Sequence, residues 1–115
     1  MADYIWEFKD SRPDGFTLSL SSLTEPSEGI SVAYYSTSTV LDKDDLDVVI
    51  SHSLSHDGYV GGWLSAKDSL YYLDSVRLFP EDKLNKALRF ARKNKQDAVY
   101  VISASEEIWL LSPEE

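Results

Sequence analysis

The chain contains no cysteine, which excludes disulfides, thiolate metal sites and the secreted scaffolds that depend on crosslinks. Long apolar runs are missing too. No segment approaches the ~20 apolar residues of a membrane span. The first twenty residues carry Asp3, Glu7, Asp10 and Asp14 and hold no signal-peptide core. No nucleophile elbow of the form G-x-S-x-G occurs, nor a Gly-rich phosphate loop, so nucleotide cofactors have no support in the sequence. These absences lead us to expect a cytoplasmic protein with no cofactor and no membrane partner.

What is present is the composition of a globular domain. Hydrophobic residues make up 43% and aromatics 12% of the 115 residues, including Trp6, Trp63 and Trp109, enough for one core that buries roughly two-thirds of the unfolded chain's surface. We expect a single domain over 1–115. Twenty acidic residues against eleven basic ones give a net charge of −9, which repels a phosphate backbone, so nucleic acid is not an expected partner. The charge is uneven, because Lys83, Lys86, Arg89, Arg92, Lys93 and Lys95 fall in one thirteen-residue stretch.

Periodicity predicts the elements. Tyr4-Ile5-Trp6 with Phe8, and then Phe16 to Leu20, read as two N-terminal strands separated by the turn Arg12-Pro13-Asp14-Gly15. Ser21 to Gly29 reads as a loop, Ile30 to Tyr35 as a strand, and Ser36 to Val40 as a second loop. Asp42, Asp44 and Asp45 ahead of Leu46, Val49, Ile50, Ser53 and Leu54 predict a helix from Lys43 to Ser55, closed by Gly58. Tyr59 to Leu64 reads as a strand in which Gly61-Gly62 marks a bulge, a turn or a close approach of backbone. Ala66-Lys67-Asp68-Ser69 leads as a hairpin connection into a strand from Leu70 to Val76 that can extend to Phe79. Pro80 opens a second helix that stops near Asn94, with Leu84, Ala87, Leu88 and Ala91 on its buried stripe and Lys86, Arg89 and Lys93 opposite. Ala98 to Ile102 reads as a buried strand and Ile108 to Leu111 as an edge strand. From Ile30 onward this is the order β, α, β, β, α, β of a ferredoxin-like α+β sandwich, with additional terminal strands on an antiparallel sheet.

The residues that could carry chemistry are few. His52 and His56 stand four apart on one helix, the spacing of a two-histidine metal site, but no third histidine exists and the intervening Ser53-Leu54-Ser55 lacks a catalytic carboxylate, so no metal is expected. Asp74 shares a strand face with Tyr72 and Val76. Near His56 or Arg77 it would make a general acid or base, making His56 and Asp74 the catalytic candidates; as a structural residue it would accept backbone hydrogen bonds. Tyr and Trp also suit contact surfaces, and Trp63, Tyr72, Tyr59 and Tyr35 are the aromatic binding candidates. Arg89 represents the basic helix face.

One resemblance spans about half the chain. Gly61-Gly62-Trp63, Tyr71-Tyr72-Leu73-Asp74-Ser75, Ala87, Phe90-Ala91, Asn94, Gln96 and Ala98-Val99-Tyr100 together resemble a small domain family associated with gut bacteria and their phages or other mobile elements. Members of that family place a Gly before the paired aromatics where this chain has Ser69-Leu70. The resemblance implies a biological context and no mechanism, so no catalytic residue is carried over.

Without a catalytic constellation, the leading expectation is a non-enzymatic protein-interaction module with a protein partner, or with further copies of itself. The alternative is a small enzyme or ligand-binding domain with a cleft near Trp63, Asp74 and His56. Third is an acidic inhibitor that mimics DNA.

Overall fold

The computed structural model describes residues 1–35, 39–40, 42–65 and 68–110. The first apolar group is a helix. Residues Ala2–Phe8 form α1, where the aromatics of Tyr4-Ile5-Trp6 pointed to a strand. The reason is tertiary: Ile5 is fully buried against Leu18, Leu46 and Val49, and Ala2 and Trp6, one helical turn and one residue away, pack on the same cluster. A short 3-10 turn, Lys9–Ser11, then leads into β1, Gly15–Ser19.

The remaining elements are β2 (Ile30–Ala33), β3 (Thr39–Val40), α2 (Lys43–Leu54), β4 (Tyr59–Leu64), β5 (Tyr71–Phe79), α3 (Leu84–Lys93), β6 (Ala98–Val101) and β7 (Glu106–Trp109). They fall near their expected positions, except that β3 takes the end of an expected loop and β7 starts at Glu106, two residues before the expected Ile108. Helix α2 starts where Asp42 accepts a hydrogen bond from the Asp44 amide at 2.9 Å, a cap worth about 1 kcal/mol. It ends where the Gly58 amide donates to Ser53 O at 2.8 Å with φ +81°. Helix α3 begins at Leu84, four residues after Pro80, because Glu81–Lys83 winds as a 3-10 turn. Strand β3 is too short to leave a periodic signal. Positions 36–38, Ala66, Lys67 and Leu111, which carried parts of the expected loop, hairpin and edge strand, lie outside the described residues.

The strands form one antiparallel sheet in the order β1-β4-β5-β2-β6-β7, with β3 also pairing on β5. All three helices lie on one face. There Leu18, Leu46, Val49, Val60 and Leu73 form one buried cluster under α1 and α2, and Ile30, Val32, Ala87, Ala91 and Val99 form a second under α3. Leu73 and Leu18 are completely buried, and truncating either to Ala would cost about 2–5 kcal/mol. Among the described residues, no helix is long and apolar enough to cross a membrane.

The sheet is strongly curled away from its helices. Thr17 on β1 donates to Ser31 on β2 at 3.2 Å, although β4 and β5 lie between them. Three strand spacings in a flat sheet would separate those backbones by about 14 Å. Trp63 on β4 reaches Glu107 on β7 at 3.2 Å across β5, β2 and β6, about 19 Å apart if flat. Both contacts require the face opposite the helices to be concave.

Candidate functional site

The register decides which side chains face the concavity. Thr17, Gly61 and Asp74 are consecutive partners across β1, β4 and β5, and Trp63 pairs with Tyr72 one step along. Alternation puts these residues on the face away from α2 and α3, with Ser31, Ala33 and Val76 beside them. They border a trough of about 790 Å³, within the range of small-molecule sites.

Its floor is built from small residues, two of which, Thr17 and Ser31, meet through their hydrogen bond over β4 and β5. Thr17, Ser31, Ala33 and Gly61 project little, whereas an inner sheet face that served only as core would be filled by Val, Ile or Leu. Gly61 is required to be small: a Cβ there would stand 2.9 Å from Val76 Cγ1. Its neighbour Gly62 faces the helices, where a Cβ would collide with Phe16 Cε1 and stand 2.7 Å from Tyr71 Oη. The glycine pair therefore marks close approach on both faces of a regular strand. Asp74 is 5% exposed, on the inner face beside Gly61.

Two aromatic–carboxylate pairs stand at the rim. Tyr72 donates through Oη to Asp68 Oδ2 at 2.5 Å, while Asp68 Oδ1 accepts from the Leu70 amide at 3.0 Å. These bonds hold the Asp68 carboxyl below its ordinary range and push the Tyr72 phenol up, the shared hydrogen bond being the main cause of each. Trp63 donates through Nε1 to Glu107 Oε2. The two rings are 6.2 Å apart and tilted by 37°. Asp14, Asp68, Asp74, Asp97 and Glu107 border the trough against a single cation, Lys95, among the described residues. The Lys95 ammonium lies 4.9 Å from the Tyr35 ring.

His56 is on the other side of the sheet. Its ring stacks on His52 at 3.7 Å and 4°, both rings contact Tyr34, and Tyr34 meets Phe90 of α3 edge-on at 5.1 Å. His56 Nδ1 is 2.6 Å from His52 O; a carbonyl only accepts, so that nitrogen carries the proton. The i, i+4 spacing thus gives two parallel rings with one nitrogen committed, and not two lone pairs converging on an ion. Among the described residues, no group of three or more His, Asp or Glu could hold a metal. Burial, and then the neighbouring His56 charge, lowers the His52 pKa from its ordinary 6.5. Burial pushes the Tyr34 phenol up to about 12, reinforced by the short hydrogen bond it donates to Asp57.

Of the residues singled out in the sequence, the structure brings together Trp63, Tyr72 and Asp74. It separates them from His56, from Tyr35 beyond the end of β2, and from Arg89, exposed on α3. Tyr59 shares the inner face of β4 with Gly61 and Trp63 but lies outside the trough. Glu107, Asp68, Thr17 and Ser31 were not singled out. Alternation of small and polar residues along β1 and β2 was the available signal for the last two. No family model, curated protein or solved structure matches this chain.

Proposed function

We propose that the domain is a non-enzymatic binding module that takes a small molecule in the trough between β1, β4, β5, β2 and β6. The observation that carries this reading is a concave sheet face that borders about 790 Å³, is lined there by Gly, Ala, Ser and Thr, and places a buried carboxylate beside them. A chain selected only for stability gains by filling such space. The separation of His56 from Asp74 removes the acid–base pair that an enzymatic reading needed. The core reads as a ferredoxin-like sandwich, supported by the neighbour order β4-β5-β2-β6 and by antiparallel pairing throughout. The gut-bacterial and mobile-element context rests on the residue pattern alone.

A fragment screen by protein-observed NMR tests the binding reading, using the wild type and an Ala33→Leu variant that fills the floor. Hits that shift the Trp63 indole resonance and are lost in the folded variant support it. A screen without hits, or hits indifferent to Ala33→Leu, sinks it.

A second reading, a protein-interaction module, is favoured by Trp109, 48% exposed on the edge strand β7 with Tyr100 beside it on β6. Exposed aromatics on a sheet edge suit a contact surface. Light scattering that shows a monomer, together with native-lysate capture that yields no partner dependent on Trp109, counts against it.

A further inference from the structure

We infer that the ligand of the trough is a small organic cation, an alkyl- or methylammonium, received against the adjoining Trp63 and Tyr72 rings. This rests on the binding reading above and names its chemical class.

Both aromatic side chains have one N–H or O–H donor, and in both that donor is given to a carboxylate: Trp63 Nε1 to Glu107 and Tyr72 Oη to Asp68. Two consequences follow. The rings retain no proton to offer an anionic or carbonyl ligand, so what they present is their π-surface. A donor hydrogen-bonded to an anion also pushes electron density into its ring, which strengthens attraction for a positive charge near the face. The two rings are cross-strand neighbours at 6.2 Å, so one ammonium can contact both. The surrounding charge has the matching sign. Five carboxylates border the trough against Lys95, whose ammonium already lies by the Tyr35 ring, and low-dielectric walls concentrate such a field. A phosphate or carboxylate ligand would meet this arrangement at a large electrostatic cost. The open volume exceeds an ammonium head, so an apolar or hydroxylated body fits toward Ala33 and Ser31.

The test uses the full chain and two probes of one shape: choline, and its uncharged carbon isostere 3,3-dimethylbutan-1-ol. Calorimetric titration at low salt is expected to show choline binding to one site, the isostere binding at least about tenfold more weakly, and choline affinity falling as salt is raised. Trp63→Leu should reduce choline affinity by about tenfold or more, and Glu107→Gln by less, with the fold intact by circular dichroism. Equal affinity for the two probes overturns the cation class and leaves the cavity reading standing. Choline binding that survives both Trp63→Leu and Ala33→Leu places the cation elsewhere and overturns this proposal. No heat from choline up to about 10 mM overturns it as well, while the fragment screen decides the cavity independently.

Discussion

Trp63 Nε1 donates to Glu107 Oε2 at 3.2 Å from the opposite flank of the concave sheet face. A hydrogen bond between two side chains on strands separated by three others exists only because the sheet coils, so it reports the depth of the trough. An exposed charge-assisted bond is worth little in stability. Glu107→Gln should therefore move the urea midpoint hardly at all, yet loosen the rim. With Trp6→Phe and Trp109→Phe leaving Trp63 as the one indole, acrylamide quenching should rise on adding Glu107→Gln. Unchanged quenching would mean that the rim bond does not restrict access.

The glycine pair offers a graded test. Gly62→Ala drives a methyl against the Phe16 ring and Tyr71 Oη, both held in packed surroundings, whereas Gly61→Ala meets one methyl of Val76. Both substitutions overpack, at about 1–3 kcal/mol, with Gly62→Ala the costlier. Urea unfolding of the two variants checks the order, and a Gly61→Ala loss exceeding that of Gly62→Ala would contradict the placement of the two faces.

How much of this was legible in the sequence depends on range. The α3 stripe of Ala87 and Ala91, the Asp42-led start of α2, the Gly58 stop and the strand at Ile30 are local patterns, and local physics places them. Tyr4-Ile5-Trp6 misleads because aromatic and β-branched residues favour strands on their own, while burial of Ile5 against α2 and β1 makes this segment helical. Alternation correctly grouped Tyr72 with Asp74. It could not say which side of β5 the helices would cover, and that choice separates Asp74 from His56. Trp63 and Glu107 are 44 residues apart; nothing short of the sheet's coil brings them together.

Ser69 adopts φ +62°, a left-handed conformation that costs a residue with a side chain about 1–2 kcal/mol. Ser69→Gly should stabilise the fold by about 0.5–1 kcal/mol after allowance for the extra freedom of glycine in the unfolded chain. Thermal denaturation reads the gain, and a drop in the midpoint would argue against this turn geometry.

The histidine stack makes stability fall on acidification. His52 has a folded pKa below its ordinary 6.5, through burial first and the His56 charge second. The unfolded chain therefore binds the proton more readily than the fold. The stability this provides is complete above about pH 6.5 and is lost as pH falls through that value toward the lower folded pKa. Asp57 opposes part of the shift. Urea midpoints taken from pH 7.5 down to pH 5.5, above most carboxylate titration, should decline, and less steeply in His56→Phe, which keeps a ring on His52 without a charge. A midpoint that rises over this interval would contradict the stack.

The central claim is that the concave face is an open, cation-receiving site, and its most direct test is a ¹H–¹⁵N chemical-shift map of the full chain titrated with choline. The account predicts saturable shifts at the Trp63 indole N–H and at the amides of Gly61, Asp74 and Ser31, with α2 and α3 unmoved. Shifts confined to the helical face around His52 and Arg89, or no saturable shift on the inner strands, would contradict it.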